Sequence, residues 1–156
     1  MILIQFLLPL RLVGKHNYRA YMTFALTFAF FAVFAWEVVL TSQGGMPIEA
    51  YLEEYAFATC EIGEAAPDEL LVDGVRALFM TTSLPEMLIN LLFLWIFAPL
   101  VEQFLGMRRF LSYFMVIGLL GYLVAAIALH GECVVIVGPN SAVAGVIAAF
   151  IFLFPN

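Results

Sequence analysis

Four long apolar runs, Ala20 to Leu40, Leu84 to Val101, Phe110 to Leu129 and Cys133 to Phe154, dominate this chain. A helix needs about 20 mostly apolar residues to cross the hydrocarbon of a bilayer, and each run approaches that length. Inside a bilayer no water satisfies the backbone, so a spanning segment of this size folds as a helix whose polar groups pair internally. The expected fold class is therefore all-α: a polytopic transmembrane helical bundle with four spanning helices, forming one domain over residues 1–156. Composition agrees. Hydrophobic residues make up 65% of the chain and charged ones 12%, with a mean hydropathy of +1.06. That is too little charge to cover a soluble surface.

The net charge of -6 and the scatter of the six Lys and Arg residues exclude a nucleic-acid-binding surface, which needs clustered cations. The basic residues instead orient the chain. Arg11, Lys15 and Arg19 precede the first run, and Arg108 and Arg109 separate the second from the third. By the positive-inside rule both segments face the cytoplasm, so the N-terminus is expected there, in a prokaryotic inner (plasma) membrane. Met1 to Val13 is apolar but short, interrupted by Pro9 and Arg11, and its charges follow the apolar stretch rather than precede it. It reads as an interfacial segment, not a signal peptide.

The outer side receives residues 41–83 and the connection around His130 to Glu132. The long loop is acidic: Glu49, Glu53, Glu54, Glu61, Glu64, Asp68, Glu69 and Asp73 stand against the single cation Arg76. Within it Ile48, Tyr51, Leu52 and Tyr55 recur at helical spacing, which predicts a short amphipathic helix over Pro47 to Ala58. Glu61 to Asp68 reads as loop and Glu69 to Phe79 as a further helical turn or two. The acidic run is a solvated surface, the docking of a basic partner being the alternative. Cys60 and Cys133 both fall on this side. They are either two unpaired thiols or, where that side is oxidising, a disulfide that ties the loop to the last connection.

The stretch VRALFMTTSLPEMLINLLFLWIFAPLVEQFLGMRRFLSYF (Val75 to Phe114) resembles the first outer loop, second helix and following turn of rhomboid intramembrane serine proteases. VGPNSAVAGVIAAFIFLFP (Val137 to Pro155) is similar to the fourth helix of that family, and Pro9-Leu10-Arg11 to its usual beginning. The resemblance implies a rhomboid-like core of six helices, of which four are covered here, and a peptidase chemistry with three requirements. A serine in a G-x-S-G-A pattern at the start of the fourth helix attacks the peptide bond, a histidine on the sixth helix activates it, and a His and an Asn four residues apart on the second helix help hold the oxyanion.

Aligning Gly138, Ala142 and Gly145 with that pattern puts Asn140 at the nucleophile position and Ser141 at the following glycine. An amide forms no acyl-enzyme. Ser141 is turned from the nucleophile position by roughly 100° and about 1.5 Å along a helix, an error large enough to suppress reaction. A small residue in a Ser141-x-x-x-Gly145 packing pattern is the favoured reading of it. Asn90 matches the family's asparagine, but Glu86 stands where the histidine belongs, and an ionised carboxylate repels an oxyanion. Only a protonated Glu86 could donate there. The favoured reading of Ser83-Leu84-Pro85-Glu86 is a capping box with proline in the first turn, and Asn90 is read as an interhelical hydrogen-bonding residue. The histidines, His16 in the leader and His130 at the outer end of the third run, do not supply the base, and no sixth helix occurs up to Asn156.

Catalytic residues are therefore not expected, with Asn140, Ser141, Glu86 and Asn90 marking degenerate positions. Gly138, Ser141, Gly145, Ala148, Gly118 and Gly121 are the candidate helix-packing and partner-binding residues. Two histidines and two cysteines on differing sides make no metal set, and no cofactor is implied. The expected partners are the lipid bilayer and transmembrane helices of other proteins, the chain acting as a catalytically inactive structural subunit of a larger membrane complex. The alternative is an active intramembrane serine endopeptidase using Ser141 and a histidine beyond Asn156. Glu37 and Glu86, the only acids in the apolar runs, are too few for a transport pathway.

Overall fold

A computed structural model describes residues 20–42, 45–61, 66–129 and 132–155 of the chain. The leader with Arg11, Lys15, His16 and Arg19, as well as Glu64 and His130, lies outside the described residues. Six α-helices follow one another: α1 (Tyr21–Ser42), α2 (Ile48–Tyr55), α3 (Pro67–Phe79), α4 (Leu84–Leu105), α5 (Met107–Ala128) and α6 (Asn140–Leu153). Two short strands, β1 (Phe57–Ala58) and β2 (Val135–Ile136), pair antiparallel between them. Helices α1, α4 and α5 are each 22 residues long and apolar enough to cross a membrane.

Buried polar groups fix how the spans meet. Helix α1 begins without an Asx, Ser or Thr cap, so its first N–H groups need another acceptor. Glu102, on the last turn of α4 and fully buried, supplies it. Its carboxylate accepts hydrogen bonds from the Met22 N–H at 2.9 Å, the Thr23 N–H at 2.9 Å and the Thr23 hydroxyl at 2.8 Å. A carboxylate is favoured at a helix N-terminus by the helix dipole as well. Helix α4 then stops at Gly106, whose φ of 80° only glycine adopts without strain, and α5 begins at once. The start of α1 and the α4–α5 turn with the exposed Arg108 and Arg109 thus share one end of the bundle. Phe110, Phe114, Leu78, Met87, Leu94 and Val101 fill the core between them without exposure.

The segment from Cys133 differs from the expected fourth span. Its first seven residues are not helical, and α6 covers 14 residues, about 21 Å at 1.5 Å per residue. A hydrocarbon core is roughly 30 Å thick, so the helical length described here is shorter than that of α1, α4 or α5 and of a full span. Hydropathy reads this segment as apolar throughout, and an extended apolar run has the same composition as a buried helix. Here Thr59 stitches it to the segment between α1 and α4: its hydroxyl donates to the Glu132 carbonyl at 2.7 Å and accepts from the Val134 N–H at 2.9 Å. Cys60 and Cys133 are joined by a disulfide beside the β1–β2 ribbon. The segment between α1 and α4 is more regular than the sequence suggests, α3 running 13 residues rather than a turn or two.

Candidate functional site

Opposite the Glu102 end, the first turns of α4 and α6 meet beside the segment that links α1 to α4. The turn before α6 sets the geometry. Gly138 has a φ of 100°, its N–H donates to the Ala77 carbonyl at 2.9 Å, and its carbonyl accepts from the Tyr122 hydroxyl at 2.8 Å. A Cβ at Gly138 would stand 3.1 Å from Glu86 Oε1. The glycine therefore serves a turn and a close approach to α4. Pro139, fully buried, follows and delivers Asn140 into the first helical turn.

Asn140 bridges two residues of α4. Asn90 Nδ2 donates to Asn140 Oδ1 at 2.8 Å, and Asn140 Nδ2 donates to Glu86 Oε1 at 3.1 Å. A carboxylate only accepts, so the NH₂ of Asn140 must face Glu86 and its carbonyl must face Asn90. On the far side the Thr82 hydroxyl donates to Glu86 Oε2 at 2.6 Å, with the Thr82 N–H at 3.3 Å. The donors all run one way, toward the carboxylate, so each bond polarises the next. Asn90 is buried, Glu86 half-buried and Asn140 exposed at the rim.

Ser83 caps α4 by accepting from the Glu86 N–H at 3.4 Å. The reciprocal half of the expected capping box is not formed, because the Glu86 side chain is engaged by Thr82 and Asn140. Ser141 faces away from this network: its hydroxyl donates to the Gly118 carbonyl of α5 at 3.0 Å. A Cβ on Gly121 would collide with Ser141, and one on Gly145 with Ile117. Gly118 approaches Leu78 and Ala142 in the same way. The Tyr113 hydroxyl donates to the Gly145 carbonyl at 2.8 Å and adds a further tie between α5 and α6. Of the small residues singled out, only Ala148 lies exposed, one to two turns beyond Ser141 and Gly145 on α6.

A Rhomboid domain family model matches residues 71–156, more than half of the chain. The chain belongs to the rhomboid family. No curated protein and no solved structure matches it. The match spans α4 and α6, so the Glu86–Asn140–Asn90 bridge occupies the part of this rhomboid domain where the resemblance places the nucleophile and the oxyanion helpers. Chemically the bridge holds amides and a carboxylate there, joined by hydrogen bonds. Among the described residues there is no histidine, and no group of three His, Cys, Asp or Glu residues could hold a metal ion.

Two residues of this rhomboid-like membrane protein escape a reading of the sequence. Glu102 lies just past the apolar run and looks like a surface acid, yet it is fully buried. Glu37, near the C-terminal end of α1, is buried at 4% exposure and accepts from the Thr81 N–H at 3.3 Å. Its Oε2 and the Thr81 hydroxyl have no hydrogen-bond partner among the described residues. Only the spacing of Glu37 inside an apolar run hints that it is held within the bundle.

Proposed function

We propose that this chain is a rhomboid-like membrane protein without peptidase activity that serves as a structural, transmembrane-helix-binding subunit of a larger membrane complex. The observation that carries the reading is Asn140, hydrogen-bonded to both Asn90 and Glu86 in the place of a nucleophile. The orientation of Ser141 supports it, since a hydroxyl bonded to the Gly118 carbonyl and wedged against Gly121 belongs to the α5–α6 contact. Ser141 and Gly145 being used inside the bundle, the partner-facing surface is assigned to Ala144, Ala148 and Ile151 of α6 and to Leu88 and Leu92 of α4, all exposed. The N-terminal side is assigned to the cytoplasm of a prokaryotic plasma membrane. Arg108 and Arg109 at that end and the Cys60–Cys133 disulfide at the other support this orientation.

Two measurements on the full chain test the reading. A fluorophosphonate probe is expected to leave wild type and Ser141→Ala equally unlabelled, and labelling lost in Ser141→Ala would overturn the inactive assignment. Purification in mild detergent is expected to bring down a second membrane protein in fixed stoichiometry. A monodisperse, stable chain with no companion would remove the subunit role.

A further inference from the structure

A groove of about 410 Å³ lies between α1 and the outer-loop helices α2 and α3. Ala29, Val33 and Trp36 form its wall on α1. They share one helix face, and seven residues at 1.5 Å each make that wall roughly 10 Å deep. Phe79 closes the α3 side, while Tyr55 and Arg76 line the mouth. The floor is thus apolar at spanning-helix depth, and the mouth is aromatic and charged at the level where α1 ends. Tyr and Trp with a cation above an apolar slot is the composition that suits a membrane–water interface.

The charges at the mouth narrow the occupant. Arg76 is the single cation of residues 41–83. Its guanidinium carries five N–H donors, and Asp73 engages Nη1 at 3.2 Å. Glu54, the neighbour of Tyr55 on α2, is exposed. Glu53 is exposed on the same short helix. A purely anionic headgroup would meet Arg76 but also these carboxylates. A headgroup with a phosphate and an ammonium meets a complement for each.

We propose that this groove binds one zwitterionic, amine-bearing phospholipid of the surrounding bilayer, with an acyl chain along Ala29, Val33 and Trp36, the phosphate on Arg76 and the ammonium toward Glu54 and Asp73. The site lies on the α1–α3 side, away from the Asn140 bridge, and so stands or falls independently of the function proposed above.

Trp36 is the built-in reporter, since the chain has only one other tryptophan, Trp95. The full chain carrying Trp95→Phe is titrated in detergent with phosphatidylethanolamine bearing brominated acyl chains, which quench indole fluorescence on contact. Saturable quenching is expected, weakened roughly fivefold by Arg76→Gln, the effect of one cation near a membrane surface. Val33→Phe, which fills the slot, is expected to abolish it. Brominated phosphatidylglycerol is expected to bind several-fold more weakly, with Glu54→Gln removing the difference. Should Arg76→Gln fail to fold, the exposed Glu54→Gln still reads the headgroup preference. Quenching that rises linearly with lipid and ignores both Arg76→Gln and Val33→Phe would overturn the site. Equal or tighter binding of phosphatidylglycerol would overturn the zwitterion assignment, and a photocrosslink from position 33 to a second polypeptide would replace the lipid with a protein partner.

Discussion

The Asn90–Asn140 bond offers the sharpest test of the bridge, because it joins two helices across 50 positions of sequence. Asn140→Ala leaves the buried Asn90 amide without its acceptor. An unsatisfied buried polar group costs about 1–3 kcal/mol, but the unfolded chain in a membrane also finds partners, so interhelical bonds average near 0.6 kcal/mol and reach about 1.7. At 2.8 Å and with Asn90 only 8% exposed, this bond belongs in the upper part of that range. A double-mutant cycle of Asn90→Ala and Asn140→Ala, read by equilibrium unfolding in bicelles, is expected to give a coupling of roughly 1–1.5 kcal/mol. The Glu86→Gln and Asn140→Ala cycle is expected to give less than about half of that, since Glu86 keeps both Thr82 donors and is partly solvated. A coupling below about 0.3 kcal/mol for the Asn90–Asn140 pair would mean that the amides do not bridge the helices in the membrane. The assignment of this end of the domain as a structural contact would then lose its main support.

Glu102→Ala leaves two backbone N–H groups and a hydroxyl without their acceptor, each a loss of about 1–3 kcal/mol where it stays buried, with Glu102→Gln costing markedly less because one carbonyl oxygen remains; thermal unfolding in detergent checks the order. Glu37→Gln is expected to match or exceed wild type in the same assay, since it keeps the acceptor for the Thr81 N–H and removes a charge from a buried, half-satisfied position. Gly145→Val places a side chain into Ile117 and is expected to lose about 1–3 kcal/mol, separating α6 from α5. Cys60→Ser with Cys133→Ser opens a link between residues 73 apart and is expected to lower stability by about 2–4 kcal/mol, unless reductant already does so. Burial and the nearby Glu37 push the Tyr51 phenol up from 10.0 to about 12. Its neutral form is thus favoured in the fold, and stability is expected to fall as pH rises from 10 toward 12, a fall that Tyr51→Phe removes.

Much of this protein was determined by sequence alone, because a bilayer leaves few choices. Apolar runs of spanning length must be helices, and Glu86 and Asn90, four residues apart at the start of one of them, must share a face. Where a run stops being helical is not written in hydropathy. Cys133 to Gly138 is as apolar as the helix that follows, yet Thr59, 73 and 75 positions away from its partners, holds part of it extended. The roles of single polar residues were decided at the same long range. Glu102 reads as a rim acid until α1 brings its unpaired N–H groups to it, and Asn140 reads as a lost nucleophile until α4 supplies a donor and an acceptor on either side. Local pattern fixes which face a residue occupies. Only the packing of distant helices decides what that residue touches, and hydrogen bonds in a low-dielectric interior make that choice costly to change.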